Sequence, residues 1–443
     1  MNNGNSKIPE KFGGRQIRTT RYPKHVGWAG IIVVTVYFIR GTVLPLFAHI
    51  PESILIGLTL IALMSCLGVV VMAGGKWRWW WLFVVCVFGF GCLGAEHPVD
   101  SILHWFGIIG MIFAVGPLIS NPVGYQLRMK AWKFTTDGIV ILSIIFLIWY
   151  LLHLPSYGGS LYFSSFMNQS MLLGPIVGIG ISIALIRAIH MKSWLWGGGA
   201  ILGVLPLFAS GSRLATLSTG VAICFLFLRR KPILGLIFSV VISVAITLFF
   251  THGGELKSED SAVGMLAKKG TKNSRTDLWQ SRIDEFKSSP IIGIGISMGS
   301  GSGVSKSETG IRVEPGSSYL AIFSMTGILG AFAFFSGILY VICRYAFNKN
   351  GSPLQNDVLS VTGIYLGVHG IAEGWVLGFG SPLCLLFWLW LGRLADASET
   401  QGNIAKTSRM RMRFNAVRMG RAKMVGPSPK NIETCACTST QGL

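Results

Sequence analysis

From residue 27 to residue 394 the chain alternates apolar runs with short polar breaks, and the pattern predicts membrane-spanning helices near 27–48, 53–73, 79–95, 101–119, 134–153, 168–187, 194–209, 212–228, 232–251, 318–343, 355–374 and 380–394. A helix rising 1.5 Å per residue needs roughly 20 apolar residues to cross a hydrocarbon core of about 30 Å. The shorter runs therefore imply tilted or broken helices. One long polar insertion, 252–317, interrupts the series. The expectation is an all-α polytopic membrane protein of about twelve transmembrane helices with one large extracytoplasmic loop. Its segments are a basic arm (1–26), nine spans (27–251), the loop (252–317), three spans (318–394) and a polar tail (395–443).

Composition agrees. With 51% hydrophobic and 13% charged residues and a mean hydropathy of +0.57, the apolar surface exceeds what one soluble core can bury. Charge sets the expected orientation. Of the 38 Lys and Arg residues, 27 fall in the two termini and the alternate loops on one side, which the positive-inside rule assigns to the cytoplasm. The insertion then faces outward, at the periplasmic side of a bacterial inner membrane. The net charge of +20 is accounted for by topology and anionic headgroups, so no nucleic-acid partner is expected. The fourteen Trp, including Trp79-Trp80-Trp81, Trp194 and Trp196, fall mostly at span boundaries and are expected to be interfacial anchors. Six of the eight cysteines lie in or near spans, and Cys435-Ala-Cys437 has no second ligand pair, so no metal is expected.

Candidate chemistry gathers on the outer side. Gly211-Ser212-Arg213 opens the eighth span and sets a guanidinium at the outer boundary. In the insertion, Arg275 begins the stretch 273–286, in which Leu278, Trp279, Ile283 and Phe286 share one helical face behind a Ser274 or Thr276 cap. This predicts an amphipathic helix on the membrane surface. Further on come Ser289-Pro-Ile-Ile-Gly293-Ile-Gly295, then Arg312, Glu314 and Ser317-Ser318-Tyr319 at the start of the tenth span. The glycines lack the Lys-Ser/Thr of a Walker loop and the strand-helix context of a dinucleotide site.

In this order, Gly-Ser-Arg at a span start, Arg-x-x-Leu-Trp, Ser-Pro-Ile-Ile-Gly-Ile-Gly and Ser-Ser-Tyr-Leu entering a span, the chain resembles the superfamily of O-antigen ligases and Wzy-type polysaccharide polymerases. The resemblance implies a GT-C-like inverting glycosyltransferase that acts on undecaprenyl-diphosphate-linked oligosaccharide without a metal or other cofactor. It implies that Arg213 and Arg275 bind the lipid diphosphate, with Arg312 as a further candidate. It also implies membrane lipid, a chain-length regulator and a flippase as partners. Planar guanidiniums suit that role, since they can stabilise charge developing on a leaving diphosphate.

Ligases of this family carry His-Asn-x-Tyr-Leu entering the span, where this chain has Gly316-Ser317-Ser318-Tyr319-Leu320. The departure favours a repeat-unit polymerase of an exopolysaccharide pathway over a ligase. A secondary transporter is the remaining alternative, and the chain shows no matching halves to support it. A sugar hydroxyl needs its proton removed as it attacks. Glu314 is one candidate base. His369 and Glu373 are the other, expected on one face at the outer end of the eleventh span. His104 and His153 read as interfacial.

Overall fold

The computed structural model describes residues 25–42, 52–72, 75–95, 98–156, 162–167, 170–237, 239–240, 274–296, 316–347 and 352–399. The chain divides into two units, 1–17 with 399–443, and 18–398. Almost all described residues lie in the second. Among the described residues it is mainly helical, with one short ladder and an isolated bridge between Thr42 and Met167. In chain order its elements are α1 (His25–Arg40), α2 (Glu52–Met72), β1 (Lys76–Trp77), α3 (Trp79–Leu93), α4 (Pro98–Ala114), β2 (Ile119–Ser120), α5 (Pro122–Leu151), α6 (Ser170–Met191), α7 (Trp194–Leu202), α8 (Val204–Ala209), α9 (Arg213–Arg230), α10 (Ser274–Ser288), α11 (Ser318–Ala346) and α12 (Pro353–His369). A last helix, α13, spans 382–399. β1 and β2 pair antiparallel, Lys76 opposite Ser120.

Among the described residues, α5, α6 and α11 are each long and apolar enough to cross a membrane, and α3, α4 and the α7–α8 run are shorter apolar helices. The boundaries depart from the predicted spans in instructive ways. α5 begins twelve residues before the predicted 134. Asn121 caps it through Oδ1, which accepts from Gly124 N at 2.5 Å, and Pro122 fills the first turn, where its missing N–H costs nothing. The run predicted at 194–209 is divided at Gly203. The run predicted at 355–374 stops at His369. Of the ninth predicted span, 232–251, only 232–237 and 239–240 are among the described residues.

α6 runs through the middle of the bundle, packed against α5, α7, α9 and α12. Its small residues permit that closeness, as in membrane helix pairs generally. Gly180 meets Ser143 of α5, and Gly178 meets Thr219 of α9 and Tyr365 of α12. Within the same core, aromatic rings in edge-to-face and tilted contact join α3, α11 and α13, with Trp81, Phe334, Phe387 and Trp388 ring to ring. Trp81 is therefore core, not interface, whereas Trp79 and Trp194 are among the most exposed side chains.

The helix α11 is broken. Gly327, at φ 65° and ψ −173°, lies in a region essentially reserved for glycine. The segment 290–295 enters the gap. Ile294 N and Gly295 N donate to the Ser324 and Met325 carbonyls at 3.0 Å each, and Ile328 N and Leu329 N donate to the Pro290 and Ile291 carbonyls at 2.8 and 3.3 Å. Backbone groups exposed by the break are thus satisfied by the loop, which is the condition for interrupting a helix at membrane depth.

Candidate functional site

Three helix ends meet at one end of the bundle. At the start of α11, Ser317 caps the helix, its Oγ accepting from Leu320 N at 3.4 Å. Ser318 ties this start to the turn after α12. Its N–H donates to the Gly370 and Glu373 carbonyls at 2.9 and 3.0 Å. Its Oγ donates to the Glu373 carbonyl at 2.6 Å and accepts from Trp375 N and Val376 N at 3.1 and 3.3 Å. The Tyr319 hydroxyl donates to the Gly367 carbonyl at 2.5 Å. Ser317, Ser318 and Tyr319 are therefore one cap and two clasps. Ser318→Ala leaves buried backbone groups unpaired at about 1–3 kcal/mol; the expected result is a clear drop in thermal midpoint with transfer activity falling alongside it, measured on the purified variant.

α10 closes over this junction. Trp279 Nε1 donates to the Gly316 carbonyl at 3.1 Å, Leu278 abuts Gly316, and Phe286 meets Phe323 of α11 edge to face at 5.9 Å. The expected helix is docked on α11, with Leu278, Trp279 and Phe286 of the predicted apolar face making the contacts. Ile283 is exposed, while Arg282 and Glu285 are buried, Nη1 to Oε2 2.6 Å. Burial pushes the Glu285 carboxyl up, and the Arg282 charge and Ser324 hydroxyl pull it back. Ionic residues on a buried helix face evade a hydrophobic-stripe reading, although their i, i+3 spacing was visible. Arg275 stands in the first turn of α10, one heptad before Arg282.

Arg213 is the first residue of α9, behind Ser212, whose Oγ accepts from Ala215 N. α9 and α12 run antiparallel. Arg230 pairs with Asp357 at one end, and Thr219 and Tyr365 both meet Gly178. Continuing that register brings Arg213 level with residues 371–373. The elements carrying Arg213, Glu373, Ser318 and Trp279 thus share one end of the bundle.

His369 and Glu373 do not share a helical face, because α12 ends at His369 with Gly370 as its cap and Glu373 lies in the following turn. His369 stacks on Tyr365 and its Nδ1 accepts from Trp375 Nε1 at 3.0 Å. In the neutral ring the proton then sits on Nε2, which makes that nitrogen a donor. Both His369 and Glu373 are buried. Gly293 and Gly295 belong to the segment that fills the break in α11, so they are structural and not a ligand loop. Arg312 and Glu314 lie outside the described residues, as does the Arg275 side chain. Among the described residues no three His, Cys, Asp or Glu side chains group as a metal site.

A helical membrane protein with arginine at the start of one helix and a further helix docked over the start of another is the class that fold and site define. Residues 198–335 match the family described as O-antigen ligase. The match runs from α7 to mid-α11, includes Arg213, Arg275, Trp279, Gly293, Gly295 and Ser317 to Tyr319, and bears out the resemblance carried by the sequence motifs. His369 and Glu373 lie beyond it. No curated protein matches the chain.

Proposed function

We propose that this protein polymerises undecaprenyl-diphosphate-linked repeat units into an exopolysaccharide at the outer face of a bacterial inner membrane, both termini being cytoplasmic. The observation that carries the reading is the O-antigen ligase match across α9 to α11 with Arg213 at its outer edge. A growing glycan on the lipid diphosphate is the donor, and a sugar hydroxyl of a newly arrived lipid-linked repeat is the acceptor. The acceptor oxygen bonds to the anomeric carbon as the bond from that carbon to the diphosphate oxygen breaks, inverting the configuration. Arg213 and Arg275 take up the charge on the departing lipid diphosphate, work that a metal performs in other phosphoryl-leaving reactions. A flippase and a chain-length regulator are the partners such a reaction calls for.

The acceptor proton goes to a carboxylate. Glu373 takes precedence over His369, whose Nδ1 is already occupied by Trp375, and over Glu314, because Ser318 fixes the Glu373 backbone at the junction. Glu373→Gln is expected to slow transfer about 100-fold, the lower end of what a general base contributes, with lipid-linked substrate still bound. Purified protein in nanodiscs, given a lipid-linked repeat unit and followed by gel for products, measures both. Undiminished transfer by Glu373→Gln together with loss in Glu314→Gln would move the base to Glu314.

A second reading is a ligase, which the O-antigen ligase match favours. Against it, Gly316 stands where ligases of this family carry histidine. It has φ 74° and Leu278 against its α-carbon, an environment with no room for an imidazole.

A further inference from the structure

At the opposite end of the bundle three guanidiniums converge on one carboxylate. Arg128 grips Asp396 with Nε and Nη2, both at 2.7 Å, and spends its remaining donors on the Gly116 and Ile119 carbonyls. Arg78 reaches the same carboxylate at 3.3 Å and the Pro117 carbonyl at 2.6 Å. Arg393 is different. Its side chain is 5% exposed and its Nη1 stands 3.7 Å from Asp396, beyond hydrogen-bond reach. Its Nε and Nη1 have no acceptor; the guanidinium lies over the Tyr125 ring at 5.1 Å, with only the Met129 sulfur against Nη2. Asp396 is thus the ion partner of Arg393 as well, so three guanidiniums share one carboxylate, and the donors that Arg393 leaves over suit a further anion.

We propose that this arginine cluster binds the phosphate of an anionic phospholipid. Arg393 supplies the unused donors and Arg78, 14% exposed, opens the cluster to the surface. The depth is that of headgroups. Exposed Lys76, Trp77 and Trp79 flank Arg78, as aromatic and basic residues do at a membrane interface. Beyond them the exposed Phe83 and Phe90 of α3 offer an apolar wall to acyl chains, which favours a lipid over free phosphate. The site is independent of the glycan chemistry at the outer end.

Native mass spectrometry of the full chain, exchanged into detergent with phosphatidylglycerol or phosphatidylcholine, tests it. Retention of one phosphatidylglycerol in preference to phosphatidylcholine is expected, weakened roughly tenfold in Arg393→Gln, the scale of one charge-assisted contact. Equal retention of the two lipids, unchanged retention in Arg393→Gln, or retention of inorganic phosphate that displaces phosphatidylglycerol would overturn the proposal. Should Arg393→Gln fail to fold, the comparison of the two lipids on the unmodified protein still decides it.

Discussion

Arg213→Ala is expected to abolish polymer while the protein remains inserted and folded. The side chain opens α9 at one end of the bundle and is half-buried, so its removal leaves no large cavity in the core. Its expected role is electrostatic. Loss of one preorganised donor to a developing oxyanion costs about 10²–10³ in rate, which over many rounds of chain growth leaves only single repeats on the lipid. Arg213→Lys keeps the charge but not the planar two-pronged donor, and should recover a small part of the activity. Arg275→Ala should match Arg213→Ala. Normal polymer length in both alanine variants would remove the arginines from the mechanism.

Gly327→Ala is expected to prevent folding altogether. A Cβ there would overlap the Ile291 carbonyl, and the backbone conformation is one that alanine resists by roughly 1–3 kcal/mol. Overpacking adds a further 1–3 kcal/mol or so. Because the 290–295 segment satisfies both faces of the break in α11, pushing it out also strands four backbone hydrogen bonds. The measurement is membrane-fraction yield and monodispersity in detergent, with Gly138→Ala, inside α5 where an added Cβ meets nothing within 4 Å, as a milder comparison that should retain folded protein. Wild-type yield and thermal midpoint for Gly327→Ala would contradict the reading of 290–295 as the plug of a broken helix.

Much of this was legible in the sequence because apolar periodicity and caps act locally. The starts of α2 at Glu52, of α6 at Ser170 and of α11 at Ser318 fall within two residues of prediction. What escaped prediction depended on partners distant in sequence. α5 continues as a helix through Arg128 and Lys130 because Arg128 is paired with Asp396, 268 residues away, so a charge that looked like a loop marker is buried structure. The role of the Gly293-Ile-Gly295 stretch was hidden, since nothing local reveals that the Ile294 and Gly295 N–H groups pair with the Ser324 and Met325 carbonyls of a later helix. Ser318 read as part of a family motif; its work as a clasp on Glu373 is visible only once α11 and α12 are side by side. His369 and Glu373 met the helical spacing rule, but Gly370 ended the helix between them.

The central claim is tested most directly by a gel of lipid-linked glycans from cells lacking this protein. The account predicts that single repeat units accumulate on the lipid carrier and that polymer disappears. Full-length polymer retained on the lipid would contradict polymerisation and make the protein a ligase, and an unchanged profile would contradict a role in glycan assembly.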